Sequence, residues 1–202
     1  MVPAAVGKDN RAMEAITLTT ERLLLRPVGP EDSDAAYAAC QDADIQRWTT
    51  VPSPYLREHA EAFTSSYGPD GWRHDTDYTF AVLTADDSAL VAMMSVTRRG
   101  PGCAELGFWA TKEHRGRGYV VEAATRVARW AFEAAAVDRL EWRAEVGNEA
   151  SRAVALKAGF TLEGTLRSAT VHRGSRRDHW VGSLLPADLG LPGVLPYLPA
   201  RP

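Results

Sequence analysis

The chain has 202 residues, a net charge of −3 at pH 7 and 45% hydrophobic residues, which is typical of one globular domain that buries a substantial core. Because acidic and basic residues are interspersed, no basic footprint for nucleic acid is present, and no apolar run reaches transmembrane length. The two cysteines, Cys40 and Cys103, provide neither a disulfide framework nor a metal-ligand spacing. We therefore expect a cytoplasmic location.

The two ends of the chain differ from its middle in composition. Residues 1–14 are small and polar, lack the apolar segment of a signal peptide and predict a disordered leader. Residues 187–202 are rich in proline and predict a C-terminal tail. Strand and helix patterns alternate between these ends without an internal repeat, so residues 15–186 predict one domain.

The first half of the chain predicts a strand, two helices and a pair of strands. The strand is expected from Leu18 to Val28, and Pro30 opens a helix. A second helix follows Tyr55, after a loop that holds Trp48 and Pro52. The remaining predicted segments of this half are a loop over residues 68–77 and strands over residues 78–83 and 90–96.

The most informative segment comes next, over residues 105–123. An alternating strand, Glu105 to Ala110, precedes the turn Arg115-Gly116-Arg117-Gly118 and a helix that begins near Tyr119. Such a turn leaves backbone N–H groups unpaired at a helix N-terminus, where the helix dipole favours negative charge. Glycine lets a ligand approach the backbone closely. The turn therefore indicates either a phosphate or pyrophosphate site, or an ordinary turn with two solvated arginines.

A second segment, over residues 140–160, supplies the deciding pattern. Leu140 to Val146 alternates apolar and polar residues, as a half-buried strand does. Asn148 is a suitable N-cap for the next helix, and Gly159 is suited to the position just after its end. The last predicted elements are antiparallel strands over residues 161–167 and 178–184.

Together the two segments resemble the GNAT acyltransferases, the Gcn5-related N-acetyltransferase superfamily. Arg115-x-x-Gly118-x-Val120 and Asn148…Gly159-Phe160 match the family pattern in order, spacing and structural context. The sequence Asn148-x-x-Ser151 resembles the ribosomal-protein-alanine N-acetyltransferase branch in particular. The resemblance implies an α+β GNAT fold, whose mixed central sheet has about 6–7 strands flanked by about four helices.

The resemblance also implies acetyl-CoA as the acyl donor, with no metal. Its pyrophosphate would lie on the glycine turn, and its pantetheine arm would pair with the strand over residues 105–110, wedged against residues 140–146. A backbone N–H near Phe108 or Trp109 would donate to the thioester carbonyl. The residues expected to bind acetyl-CoA are Phe108, Trp109, Ala110, Arg115, Gly116, Arg117, Gly118, Tyr119, Val120, Asn148 and Arg152.

The family reaction is a direct attack of an amine on the thioester in a ternary complex, without a covalent enzyme intermediate. Glu105 is the candidate general base; the alternative is a solvated or ion-paired strand carboxylate. Many family members carry a tyrosine as general acid seven residues after the helix-opening asparagine, where this chain has Ala155. Ser151 is then the candidate acid beside the sulfur, or else a first-turn serine bonded to backbone.

The sequence indicates fewer residues for the amine acceptor than for acetyl-CoA. Trp48 and Tyr55 belong to the loop that borders the acceptor cleft in the family, and they are candidates for substrate contact. Thr170 stands where ribosomal members often have a glutamate, which weakens the case for a ribosomal substrate. His172 and His179 are expected to face different directions and to form no metal site.

These observations favour an acetyl-CoA-dependent N-acetyltransferase acting on a primary amine, either a peptide or protein N-terminus or a small molecule. Another acyl donor, such as succinyl-CoA, is the first alternative. Arg173, Arg176 and Arg177 could attract its carboxylate, unless they form a solvated hairpin turn around Gly174. A non-catalytic CoA-binding regulatory protein is the second alternative. No nucleic-acid or membrane partner is expected, and a homodimer is left open.

Overall fold

The computed structural model describes residues 14–200, so the predicted leader lies outside it except for its last residue. Over the described residues, eight strands form one mixed sheet in the order β1-β2-β3-β4-β5-β6-β8-β7. The strands are β1 (Leu18–Thr19), β2 (Leu23–Pro27), β3 (Asp77–Thr84), β4 (Leu90–Gly100), β5 (Cys103–Ala110), β6 (Arg139–Glu145), β7 (Thr161–His172) and β8 (Ser175–Leu184). The helices are α1 (Ser33–Ala39), α2 (Ala43–Trp48), α3 (Arg57–Ala62), α4 (Gly68–Arg73), α5 (Tyr119–Ala134) and α6 (Glu149–Lys157). The predicted α+β fold is confirmed, with slightly more strands and helices than expected.

The sheet opens between its two parallel strands. All neighbouring strands are antiparallel except β5 and β6, and these two pair only over Cys103 to Glu105 against Arg139 to Glu141. Beyond this point β5 runs on to Ala110 and β6 to Glu145 without pairing to each other. The two strands diverge into a wedge, as the family resemblance implied.

Helices cover both faces of the sheet and fix the central strands. α5 buries the apolar stripe that its sequence predicts, formed by Val120, Ala124, Val127, Ala128 and Ala131. α1 to α3 pack on the opposite face, whereas Trp72 of α4 packs against Trp130 of α5. β3 is buried along its whole length, with Phe80 packed in the α5 layer and Ala81 in the other layer. Because both faces are covered, residues 80–83 of β3 form a continuous apolar run rather than an alternating one.

Two helices lie where loops were predicted. α2 is a six-residue helix capped by Asp42, whose carboxylate accepts the N–H groups of Asp44 and Ile45 at 3.1 Å. α4 contains Gly68 and Gly71, which suggested a loop. A Cβ atom on Gly68 would lie 2.2 Å from a methyl group of Val28, so close packing, and not turn formation, explains this glycine.

The predicted first strand is also divided in two. Residues 20–22 bend between β1 and β2, which pair with each other antiparallel. Thr20 stabilises the bend, since its hydroxyl oxygen accepts the Leu23 N–H at 3.0 Å. A π-helical turn, Phe63–Tyr67, joins α3 to α4 in one continuous helical segment. No helix among residues 14–200 is both long and apolar enough to cross a membrane.

Candidate functional site

The wedge between β5 and β6 is part of a cleft of about 1430 Å³. The α5 and α6 N-termini border it on one side, and α2 with the loop that follows borders it on the other. Most of the predicted site residues line it: Trp48, Tyr55, Glu105, Phe108, Trp109, Ala110, Arg115, Gly116, Gly118, Tyr119, Val120, Asn148 and Ser151. The predicted residues Arg117 and Arg152 are not part of this lining.

The glycine turn leaves a row of backbone donors at the start of α5. Gly116 and Gly118 have φ values of 77° and 81°, in the left-handed region that glycine adopts without strain. The first backbone bond of α5 runs from the Glu122 N–H to the Gly118 carbonyl at 3.1 Å. Within the described part of the chain, the N–H groups of residues 116–121 have no hydrogen-bond acceptor. Free backbone donors at a helix N-terminus, together with the helix dipole, are suited to an anion.

The side chains of the turn are partly engaged within the protein. The Arg115 guanidinium donates to Asp42 at 2.6 Å and to Asp44 at 3.1 Å, which ties the turn to the start of α2. The Arg117 carbonyl accepts a hydrogen bond from Arg22 at 3.2 Å. The Arg22 guanidinium also lies 3.6 Å from the position of a Cβ on Gly118. The same guanidinium donates to Glu122 of α5 at 2.7 Å, so Arg22 ties the turn to α5 by a contact that local sequence patterns did not reveal.

Glu105 was interpreted from the sequence either as a base at the cleft or as an ion-paired carboxylate, and its position fits both interpretations. It lines the cleft at the last residue where β5 still pairs with β6. Its carboxylate accepts the Arg99 Nε–H at 3.1 Å and lies 4.0 Å from Arg143 Nε. Glu105 is therefore an ion-paired carboxylate that faces the cleft.

Ser151 lies in the first turn of α6, beside the wedge. The Asn148 side chain caps this helix and accepts the Ser151 N–H at 3.1 Å, as predicted for Asn148. The Ser151 hydroxyl oxygen accepts a hydrogen bond from Trp142 Nε1 at 3.0 Å. Ala155 is buried one turn further along, so no tyrosine hydroxyl is available at that position.

Aromatic residues line the part of the cleft for which acceptor contact was predicted. Trp48 and Tyr55 line it as predicted, and the π-helical turn adds Phe63 and Tyr67, whose rings stack with their centroids 6.0 Å apart. Burial raises the pKa of the Tyr55 hydroxyl, which keeps it protonated. Tyr67 was missed because its neighbourhood contains the glycines that predicted a loop.

The expectation that His172 and His179 face different directions is wrong, since both line the cleft near Glu145. The predicted strands ended too early, whereas β7 and β8 form a hairpin that reaches residues 172 and 175, with a register shift between Leu166 and Thr170. Burial lowers the pKa of His179, and the nearby carboxylates of Glu105 and Glu145 oppose that effect. In the range 14–200 no cluster of three potential metal ligands is found.

The tip of this hairpin contacts the opposite wall of the cleft. Gly174 has a φ value of 74° in the turn, as the hairpin interpretation of the arginine cluster expected. Arg173 donates to the Gln46 carbonyl of α2 at 2.6 Å, and Arg176 donates to the Ser168 carbonyl at 3.0 Å. Arg177 Nε lies 3.8 Å from the Glu145 carboxylate. Each guanidinium of the cluster thus has an oxygen partner within the protein.

Comparison with known proteins agrees with this geometry. The acetyltransferase (GNAT) domain model matches residues 22–161. Over 82 residues the chain is 39% identical to Bacillus subtilis YdaF, a match that covers 41% of this chain and 45% of that protein. It is 29% identical over 98 residues to the ribosomal-protein-serine acetyltransferase of Escherichia coli, covering 48% of this chain and 55% of that protein. These matches therefore span about half the length of the relatives.

The fold also resembles that of RimL, a ribosomal L7/L12 alpha-N-protein acetyltransferase solved in complex with coenzyme A. The TM-score is 0.76 at 19% identity, and the superposition covers 85% of this chain and 98% of RimL. The domain match over residues 22–161 includes both the glycine turn and the helix that Asn148 opens. The chain therefore belongs to the GNAT acetyltransferase family, in the branch that resembles the ribosomal-protein acetyltransferases.

Proposed function

We propose that this protein transfers the acetyl group of acetyl-CoA directly to a primary amine within a ternary complex. One observation carries the proposal. A wedge between two diverging parallel strands leads to a row of unpaired backbone N–H groups over residues 116–121. This arrangement fits a ligand that has an extended arm at one end and a pyrophosphate at the other. RimL, which has the same fold, is known in complex with coenzyme A.

The glycine turn would hold the pyrophosphate. Its N–H groups lie at the N-terminus of α5, where the helix dipole adds favourable potential. Arg22 lies beside the turn, but its guanidinium is paired with Glu122 at 2.7 Å, so the backbone N–H groups supply most of the attraction. Arg115 contributes less charge than its position in the motif suggests, because it is paired with Asp42 and Asp44.

β5 would hold the pantetheine arm and the thioester. Beyond Glu105 the edge of β5 that faces the wedge has no strand partner among residues 14–200, so its backbone can pair with an extended ligand. The N–H of Phe108 or Trp109 would donate to the thioester carbonyl and stabilise the negative charge that develops there. Both residues line the cleft.

Glu105 and Ser151 would manage the two protons of the reaction. Glu105 faces the cleft and would accept the proton of the attacking amine, directly or through a water molecule. Ser151 would donate its hydroxyl hydrogen to the departing thiolate. Arg99 and Arg143 keep the Glu105 carboxylate in place from the β4 and β6 sides.

A peptide or protein N-terminus is the acceptor that the named relatives favour, since RimL and the E. coli enzyme act on ribosomal proteins. The aromatic wall formed by Trp48, Tyr55, Phe63 and Tyr67 is suited to the first side chains of such a peptide. A small-molecule amine is the second candidate, because Thr170 lines the cleft where ribosomal members often have a glutamate.

The test measures thiol release from acetyl-CoA and from succinyl-CoA with a panel of amines. The panel contains short peptides with free N-termini, the same peptides with blocked N-termini, and small primary amines. We expect release with acetyl-CoA and a free amine only, and mass spectrometry should find the acetyl group on that amine. CoA binding without release for any amine would support the regulatory alternative, and faster release from succinyl-CoA would support the other donor.

A further inference from the structure

Trp142 occupies the point where the wedge begins. It is the first residue of β6 beyond the short pairing with β5, and it lines the cleft although its side chain is only 2% exposed. Its neighbour on β8 is Gly182. A Cβ on Gly182 would clash with the Thr161 carbonyl at 2.9 Å and would touch the Trp142 ring at an ordinary 3.5 Å, so this glycine allows β7 to approach closely while the indole packs over it.

The indole fixes the orientation of the Ser151 hydroxyl group. Trp142 Nε1 lies 3.0 Å from Ser151 Oγ, and an indole nitrogen can only donate. The serine oxygen must therefore accept, and its own hydrogen takes no part in this bond. First-turn serines often donate to nearby backbone carbonyls, but the Ser151 hydroxyl has no such acceptor among the residues that the structure describes. Its hydrogen is free to point into the cleft.

We propose that Trp142 is a positioning residue for acyl transfer and acts through Ser151. This proposal rests on the proposed function, in which Ser151 donates to the leaving sulfur. In that step the amine nitrogen forms a bond to the acyl carbon, the C–S bond breaks and its electron pair goes to sulfur. The amine proton goes to Glu105, the Ser151 hydrogen goes to the thiolate, and the proton held by Glu105 then returns to the Ser151 oxygen through water.

The Trp142 N–H stabilises the serine oxygen while this proton moves. Negative charge develops on Ser151 Oγ as its hydrogen leaves, and a hydrogen bond to a charged oxygen is stronger than one to a neutral oxygen. The indole thus contributes more in the transition state than in the ground state. Loss of the indole N–H should therefore lower kcat and leave the affinity for acetyl-CoA unchanged.

The first experiment compares two buried tryptophans. Trp142→Phe removes the N–H donor together with one ring. Trp130→Phe is the matched control, because Trp130 is also buried and its Nε1 has no hydrogen-bond partner in the described structure. We expect Trp142→Phe to lower kcat about five- to tenfold with little change in the KM for acetyl-CoA, and Trp130→Phe to leave kcat within about twofold.

The second experiment tests the coupling to Ser151. In a Ser151→Ala background, Trp142→Phe should lower kcat no further, because the donor has lost its acceptor group. Equal losses in both backgrounds, or a loss shared by Trp130→Phe, would overturn the positioning role. An unchanged kcat in Ser151→Ala would also overturn the positioning role of Trp142. If the wild-type protein released no thiol with any amine, the proposed function itself would fail, which is a different result.

A third variant distinguishes the loss of the N–H donor from a folding defect caused by the smaller ring. Replacing Trp142 by β-(3-benzothienyl)alanine keeps the bicyclic ring and exchanges the N–H for a sulfur atom that cannot donate. The proposal predicts the same loss of kcat as in Trp142→Phe, with an unchanged melting temperature. Full activity of this isosteric protein would show that only the packing of the ring matters.

Discussion

Arg47 of α2 donates to both carboxylate oxygens of Glu145 on β6, at 2.7 and 3.0 Å. The bond connects residues that are 98 positions apart and lie on opposite walls of the cleft. Glu145 is only 8% exposed, and the Arg47 guanidinium also stacks 4.1 Å from the Trp48 ring. This ion pair therefore holds a predicted substrate-contact residue next to the wedge.

Arg47→Ala should remove the contacts that hold Trp48 beside the cleft. We expect a higher KM for the amine, an unchanged KM for acetyl-CoA and a loss of about 1 kcal/mol of folding stability, since Arg47 is partly exposed and Glu145 keeps weaker partners. Arg57→Ala is the control, because Arg57 makes an exposed ion pair with Asp34 away from the cleft. Steady-state kinetics and urea unfolding measure both effects. Equal amine KM values for the two variants would contradict the role of Arg47.

The same pair predicts a pH dependence of stability. The Arg47 guanidinium holds the pKa of Glu145 below its ordinary value. A carboxyl whose pKa is lower in the folded state stabilises the fold fully above its unfolded pKa, about 4.3, and loses this contribution as the pH falls through the folded value. The stability difference between the wild type and Arg47→Ala should therefore shrink below about pH 4. A difference that stays constant from neutral to acidic pH would show that the contribution is not ionic.

Glu105→Gln keeps the size of the side chain and removes the proton acceptor. We expect turnover to fall about ten- to a thousandfold with CoA affinity retained, and the acid limb of the pH–rate profile to disappear. Glu141→Gln is the control, because Glu141 is the neighbour of Glu105 on β6 and is also ion-paired but does not line the cleft. Full activity and an intact acid limb in Glu105→Gln would place the base elsewhere, with the cleft residue His179 as the next candidate.

Ser151→Ala separates two roles of one hydroxyl group. If Ser151 donates to the thiolate, the variant should lose turnover while the KM for acetyl-CoA and the melting temperature change little. The Ser151 backbone N–H still bonds to Asn148 in this variant, so the helix cap is kept. A drop in melting temperature at unchanged turnover would instead assign Ser151 a structural role and would indicate that the thiolate leaves unaided.

The segments that carry the family pattern were predictable because local rules determine them. The strand before the glycine turn alternates, α5 has an apolar stripe at helical spacing, and Asn148 caps α6 as its residue type favours. Helix α4 was not predictable in this way. Its glycines are required by the close approach of the helix to Val28, just after β2, and to Asp77 of β3, which only the folded chain reveals.

Sequence analysis did not identify Arg22 and Arg47 as site residues because their contacts are distant in sequence. Arg22 reaches the glycine turn from 95 residues away, and Arg47 reaches Glu145 from 98 residues away, so no local pattern signals either contact. The orientations of His172 and His179 were predicted wrongly because the predicted strands were shorter than β7 and β8. The available signal lay in β7, where the β-branched Thr170 and Val171 favour a strand that continues to the turn at Gly174 and brings His172 beside Glu145.

Binding of CoA at the glycine turn is the central claim, and calorimetry on Gly118→Asp tests it most directly. The new carboxylate would stand at the N-terminus of α5 and repel the phosphates. Gly190→Asp is the matched control: Gly190 also has a positive φ, 69°, with open space around it, but it does not line the cleft. We expect CoA binding below detection in folded Gly118→Asp and at the wild-type level in Gly190→Asp. Wild-type CoA affinity in a folded Gly118→Asp protein would contradict the account.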